Sequence, residues 1–259
     1  MSAPKYAISG MLLLLLLGNG ISLSWNWGLP YPVSDPLRNF PRVFLWAWER
    51  PENLKFLDPH ETGVALLAKT LILNGNRLLS RPRMQPIELP PGIATVAVVR
   101  IETGAGIPDE GVRQEAVRQI LDLASRSVAG IQVDFDARVS ERAFYRTMLA
   151  EIRRQMPAGR KLSITALASW CIYDDWISDL PVDEAVPMMF RLGIGEAKAK
   201  QYLAGGSGFR VAKARFSVGI SMDEMPVRVP AGRRVYVFNP RPWTRASVDE
   251  ALRHVREWK

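Results

Sequence analysis

The sequence has one cysteine, Cys171, and two histidines, His60 and His254, in 259 residues. A single cysteine excludes an intrachain disulfide, so an oxidising compartment would add no covalent staple. Cys171 reads as a small buried hydrophobe rather than a nucleophile. So few histidines and cysteines leave no zinc ligand set, and no metal-binding histidine pair of the kind a polysaccharide deacetylase needs. His60 and His254 fall in a loop and in the terminal helix, where neither suits a Ser-His-Asp triad, and there is no G-x-S-x-G elbow. No G-x-G-x-x-G turn follows any strand-like segment. The basic residues form no run of five or more, which argues against nucleic acid as a partner. The longest apolar run is well short of the ~20 residues that span a bilayer.

What is present describes a globular chain, with 47% hydrophobic and 23% charged residues. The formal charge of +8 favours contact with anionic lipid or polysaccharide, against the plain alternative of a solvated basic surface. The N-terminus reads as a targeting segment: Lys5 and the α-amine are followed by an apolar stretch over 7–17 (AISGMLLLLLL). Ser22 and Ser24 stand at −3 and −1 of a cleavage before Trp25. Residues 1–24 are therefore expected to export the chain to the periplasm or the exterior of a bacterium. They act either as a removed signal peptide or as a retained inner-membrane anchor. Residues 25–41, rich in Pro, Gly and aromatics, read as a linker that wraps onto a single domain over 42–259. A monomer is expected.

From there, strand-like segments alternate with helical ones. Strands are expected over 42–48 (RVFLWAW), 94–101 (ATVAVVRI), 130–137 (GIQVDFDA), 162–168 (LSITALA), 185–191, 216–222 and 235–239. Helices are expected over 109–125, 141–156, 196–203 and 247–258, the last capped by Ser247 with Glu250 at its third position. Residues 64–79 allow two readings: a hairpin about Asn74-Gly75, or a short helix over 63–73. With the hairpin supplying an eighth strand, the alternation predicts an α/β fold, a degenerate (β/α)8 TIM-like barrel. An open doubly wound sheet is the alternative.

The central segment GIQVDFDA carries the strongest chemical signal. Alternation puts Gln132, Asp134 and Asp136 on one face and Val133 and Phe135 on the other. In a barrel the apolar set packs against helices and the acidic set points inward. Neighbouring carboxylates raise one another's pKa, which makes a proton donor beside a charge-stabilising partner. The structural alternative is that both aspartates pair with arginines such as Arg100 or Arg191.

This segment resembles the fourth strand of chitinase-like TIM-barrel glycosidases, where G-(I/V)-D-(I/L)-D-W-E carries the acid at its last position. Position by position, Asp134 matches the inner Asp and Asp136 the catalytic acid. Gln132 replaces the first acid, and Asp136 is one methylene shorter than Glu. Met188-Met189-Phe190-Arg191 lacks the Tyr and Asp of the sixth-strand Met-x-Tyr-Asp, the groups that orient an N-acetyl group in that family's mechanism. A longer stretch, from about Arg42 onward, resembles an exported bacterial family catalogued as domain of unknown function 3142. The resemblance lies in Trp46-Ala47-Trp48-Glu49, Gln132-Val133-Asp134-Phe135-Asp136 and Val235-Tyr236-Val237-Phe238-Asn239-Pro240-Arg241-Pro242-Trp243. It implies a fold and no established activity.

Aromatic faces beside carboxylates suit a sugar, which stacks its C–H faces and hydrogen-bonds through its hydroxyls. The expectation is a glycoside-hydrolase-like protein that acts on or binds an extracytoplasmic polysaccharide, with no cofactor and no resident metal. Asp136 would donate the proton and Asp134 would tune it, with Glu102, Asp223 or Glu224 as base or nucleophile. Substrate contacts are expected from Gln132, Trp46, Trp48, Glu49, Trp170, Arg191, Asp223, Asn239 and Trp243, which fall on or just after strands. One alternative is a non-catalytic carbohydrate-binding or envelope-assembly protein on a decayed glycosidase barrel. Another is a lyase or isomerase holding Ca²⁺ or Mg²⁺ at Asp134, Asp136 and Glu102.

Overall fold

The computed structural model describes residues 34–104, 106–193, 196–204, 208–225 and 232–258. The expected leader over 1–24 and linker residues 25–33 lie outside the described residues. The strands in chain order are β1 (Val43–Ala47), β2 (Glu52–Asn53), β3 (Thr62–Asn74), β4 (Arg77–Pro82), β5 (Ile87–Glu88) and β6 (Ala94–Thr103). They continue as β7 (Gly130–Asp134), β8 (Lys161–Leu167), β9 (Glu184–Met188), β10 (Ser217–Ser221) and β11 (Arg234–Phe238). The main sheet runs β1-β11-β10-β9-β8-β7-β6-β3, and β1 also pairs with β3, which closes the ring. Every pairing round the ring is parallel; only β4, added outside it on β3, is antiparallel. β2 and β5 form a separate small pair.

Parallel neighbours need crossovers, and helices supply several of them: α1 (Glu110–Ala124), α2 (Arg142–Gln155), α3 (Ala168–Ile172) and α4 (Glu196–Ala204). α5 (Arg245–Glu257) follows β11. The fold is thus an α/β (β/α)8 barrel. It is degenerate between β1 and β6, where hairpin and strand segments stand in for helices. The open doubly wound alternative is corrected by the β1–β3 pairing, because an open sheet leaves two edges.

Alternation builds two cores. Ile131 and Val133 point outward and are fully buried beneath α1 and α2, with Val117, Ile120, Met148 and Ile152. Phe44, Trp46, Ala65, Leu67, Val96, Val98, Val186 and Tyr236 point inward and fill the barrel. Each such side chain stabilises the fold by roughly 1.5–3 kcal/mol relative to exposure. Cys171 is fully buried, and desolvation pushes its thiol up to about 12, the behaviour of a core residue.

The inside of the barrel also holds a polar chain. Trp46 Nε1 donates to Gln132 Oε1 (2.9 Å), Gln132 Nε2 to Ser163 Oγ (3.2 Å), and Ser163 Oγ to Glu184 Oε2 (3.0 Å). Tyr236 donates to the same Glu184 oxygen (2.8 Å), and Arg234 donates to Glu184 Oε1 (2.7 Å) and Asp35 Oδ2 (2.8 Å). Residues 34–41 therefore close the N-terminal end of the barrel rather than trail from it, with Leu37 buried and its carbonyl accepting from Arg234.

Residues 62–82 settle as the hairpin. Gly75, at φ +56°, takes the left-handed turn position that a residue with a Cβ resists. β3 carries a bulge at Ala68: Leu67 pairs with Val98 and Lys69 with Val99, so Ala68 is extra. Helix ends follow local hydrogen bonding. Asp109 Oδ1 accepts from Val112 N (2.8 Å) at the start of α1. α5 starts earlier than the sequence suggested: Thr244 is its cap, and Ser247 is the third helical residue bonding back to it.

Candidate functional site

The C-terminal ends of the strands surround a cavity of about 320 Å³. Asp134, the last residue of β7, keeps 18% of its side chain exposed and accepts from the Thr165 hydroxyl (2.8 Å). The Arg100 guanidinium lies 3.6 Å from the other Asp134 oxygen and donates to Glu102 (2.9 Å). β7 ends at Asp134, not at the expected Ala137, so Asp136 stands in the loop beyond it and still lines the cavity. Among the described residues, no hydrogen bond or ion pair engages the Asp136 carboxylate. Desolvation raises the Asp134 carboxyl above its ordinary value; Thr165 and Arg100 oppose the rise, and Asp136 and Glu102 add to it. Asp136 opens to solvent, yet the walls around it thin its hydration and raise its carboxyl too, against Arg100.

Opposite the carboxylates stand four rings. Trp46 meets Phe190 edge-on (6.4 Å between centroids), Phe190 stacks on Phe238 (5.7 Å, 3° between planes), and Phe238 meets Trp48 at 90° (6.1 Å). Gly219 makes room for this wall: a Cβ there would lie 2.8 Å from Met188 Sδ and 3.1 Å from Trp46 Cη2. Arg191 completes the rim, its guanidinium 5.4 Å from the Phe238 ring. A second groove shares Trp48 and Arg100 with the cavity and runs along β3 and β4 past Glu49, Thr70, Arg81 and Glu102.

The structure brings Asp134, Asp136, Trp46, Trp48 and Arg191 to one cavity. Glu102 is in the adjoining groove, paired with Arg100, and Glu49 is there too, accepting from the backbone of Met84 and Gln85. Asp223 accepts from Ser221 and lies 3.7 Å from Arg191, while Glu224 accepts from Arg191 N (2.8 Å). Both stand behind the rim and hold Arg191.

Four expected contacts are corrected. Gln132 is fully buried beneath the cavity and bonds Trp46 and Ser163. Trp170 packs edge-on against Trp176 (4.9 Å) in the outer core. Asn239 is 3% exposed and accepts from Arg241 N, because alternation along β11 turns Phe238, not Asn239, inward. Trp243 is 4% exposed and donates to the Trp46 carbonyl (2.9 Å), supporting β1 from outside.

Sequence reasoning missed Phe190, Phe238, Thr165 and Met188 as lining residues. Strand parity was the available signal, since 188 and 190 share a face, as do 236 and 238, or 163 and 165. Chemically, a raised and unengaged carboxyl facing a ring wall can deliver a proton to a polar atom on a flat, C–H-rich ligand. Among the described residues no group of three His, Cys, Asp or Glu side chains is placed to hold a metal ion, and Arg100 is the cation beside Asp134 and Glu102.

No protein-family model matches the chain, that of domain of unknown function 3142 included, and no curated protein matches it. Among solved structures, the Bacillus cereus spore cortex-lytic enzyme SleL superposes with a TM-score of 0.49 and 16% identity, over 70% of this chain and 52% of that one. This chain thus spans about half of that enzyme's length.

Proposed function

We propose that this barrel is a glycoside-hydrolase-like protein that takes an extracytoplasmic polysaccharide at its C-terminal mouth. The observation that carries the reading is Asp136: unengaged, raised in pKa, and opening on a cavity walled by Trp46, Trp48, Phe190 and Phe238. Sugar C–H faces stack on Trp48, Phe190 and Phe238, which stay partly exposed above the buried Trp46. Asp136 protonates the leaving glycosidic oxygen as its bond to the anomeric carbon breaks, Asp134, fixed by Thr165 and Arg100, stabilises the positive charge that develops on the sugar, and a water then adds to that carbon and returns a proton to Asp136.

The test is turnover and binding measured together on a panel of bacterial polysaccharides. Asp136→Asn is expected to lower turnover by about 10²–10⁴-fold, the usual worth of a positioned proton donor, with glycan affinity kept. Turnover that survives the substitution overturns the assignment of Asp136.

A second reading, a non-catalytic glycan-binding protein, draws on a specific observation. Glu102, Asp223 and Glu224, the expected bases, each stand beside an arginine. Wild-type protein that binds glycans and turns none over establishes that reading instead. Export of the chain is tested by cell fractionation, where recovery in the cytoplasm would oppose an extracytoplasmic ligand.

A further inference from the structure

We propose that the glycan taken by this barrel carries carboxylate groups, and that Arg191 binds one of them beside the bond that faces Asp136. The inference rests on the glycan reading above and narrows it.

The first observation is backbone placement. Arg191 has φ +53°, and among the described residues it is the one non-glycine in that left-handed region. Glu224 holds it there by accepting the Arg191 backbone N–H at 2.8 Å. Nothing about core packing calls for this, because 57% of the Arg191 side chain is exposed. An unfavourable backbone at a cavity rim, held by a neighbouring carboxylate, has its effect in where the guanidinium points.

The second observation is the state of that guanidinium. Its nearest carboxylates, Asp223 at 3.7 Å and Glu224 at 4.0 Å, neutralise it without reaching hydrogen-bond distance. Both pairs are long, and the contact with Arg191 still helps to hold the Asp223 carboxyl below its ordinary value. Arg100, the other arginine of the cavity, differs: Glu102 takes its Nε at 2.9 Å and Asp134 lies at 3.6 Å. Both arginines keep donors to offer, and Arg191 is the more open of the two, with 57% of its side chain exposed against 41% for Arg100. The guanidinium lies 5.4 Å from the centre of the Phe238 ring, and its planar fork of donors fits a carboxylate in two parallel bonds.

Charge places the ligand group. β8 lies between β7 and β9, so Asp136, in the loop after β7, and Arg191, in the loop after β9, line the mouth from elements that are not neighbours. A carboxylate on Arg191 therefore sits on a sugar that flanks the bond facing Asp136. The +8 charge of the chain favours accumulation of a polyanion.

The experiment is titration calorimetry of the full chain with hexamers of galacturonate and of mannuronate, each as the free acid and as the methyl ester. Wild type is expected to prefer acid over ester by about tenfold or more, the worth of a charge-assisted pair. Arg191→Gln brings that ratio to about one. Arg191→Gly, which suits φ +53°, does the same in a chain whose backbone is relieved, and so separates the effect from misfolding. Arg126→Gln, at an exposed arginine paired with Asp122, is the control for overall charge and keeps the preference. Equal binding of acid and ester, or equal loss in Arg126→Gln, overturns the proposal. Binding of neutral glycans alone overturns it and leaves the glycan reading standing. Binding of no glycan removes both.

Discussion

The indole nitrogen of Trp46 donates to the side-chain oxygen of Gln132 across 2.9 Å of barrel interior. One wall of the cavity is thereby held from below, by a residue with no exposed surface. Gln132→Leu leaves the indole N–H buried without a partner, at a cost of about 1–3 kcal/mol. The expected outcome is a lower urea midpoint with an unchanged slope, together with weaker glycan binding as the Trp46 ring loses its anchor. An unchanged midpoint would show that the ring is held by packing alone.

Glu184 is expected to matter more. It is fully buried and accepts from Ser163, Tyr236 and Arg234. Glu184→Leu strips Arg234 of one of its two carboxylate partners, and breaking a buried pair from one side costs about 3–5 kcal/mol. Adding Tyr236→Phe removes one of the orphaned hydroxyls and should recover part of the loss. Additive losses in a double-mutant cycle would contradict the shared network.

Asp134 and Asp136 contribute to stability with a pH dependence opposite to that of the paired carboxyls Glu141 and Asp174. Burial raises the Asp134 and Asp136 carboxyls above 3.8 in the folded chain. A raised carboxyl stabilises the fold in full below its unfolded value and loses that contribution as pH climbs through the folded one. Asp134→Asn retains an acceptor for Thr165 and never ionises. Its stability relative to wild type should therefore grow from about pH 4 upward and level off once the wild-type carboxyl has ionised. Thermal melts from acid to neutral pH check this, and a gap that shrinks with rising pH would refute it.

Much of the barrel was legible because its signal is periodic. VFLWA, ATVAVVRI and GIQVD alternate or run apolar at strand length, and Asp109 announces α1 by its chemistry. The region over 63–73 was ambiguous for a physical reason: the bulge at Ala68 slips the phase of alternation, and a slipped apolar run reads equally as one helical face. At the mouth, Asp134 and Asp136 were visible as acids on an otherwise apolar strand. Asn239 and Trp243 are polar or aromatic groups near a strand end, yet parity decides which side chain turns inward, and Phe238 takes that place. For Gln132 the sequence shows the face and not the depth in the barrel, where it is fully buried.

The extra residue in β3 has a consequence for how this mouth can change. Below Ala68 the strand turns Ala65 and Leu67 inward; above it Thr70 faces the groove, while Leu71 and Leu73 remain in the outer core. A chain one residue shorter at this point would leave all of those side chains facing as they do now, because the bulge has already absorbed the added length. What it would lose is the sharpened twist that a bulge imposes. Loss of a single residue here therefore adjusts the lean of one wall, and with it the aperture of the mouth, without altering which chemical groups line it.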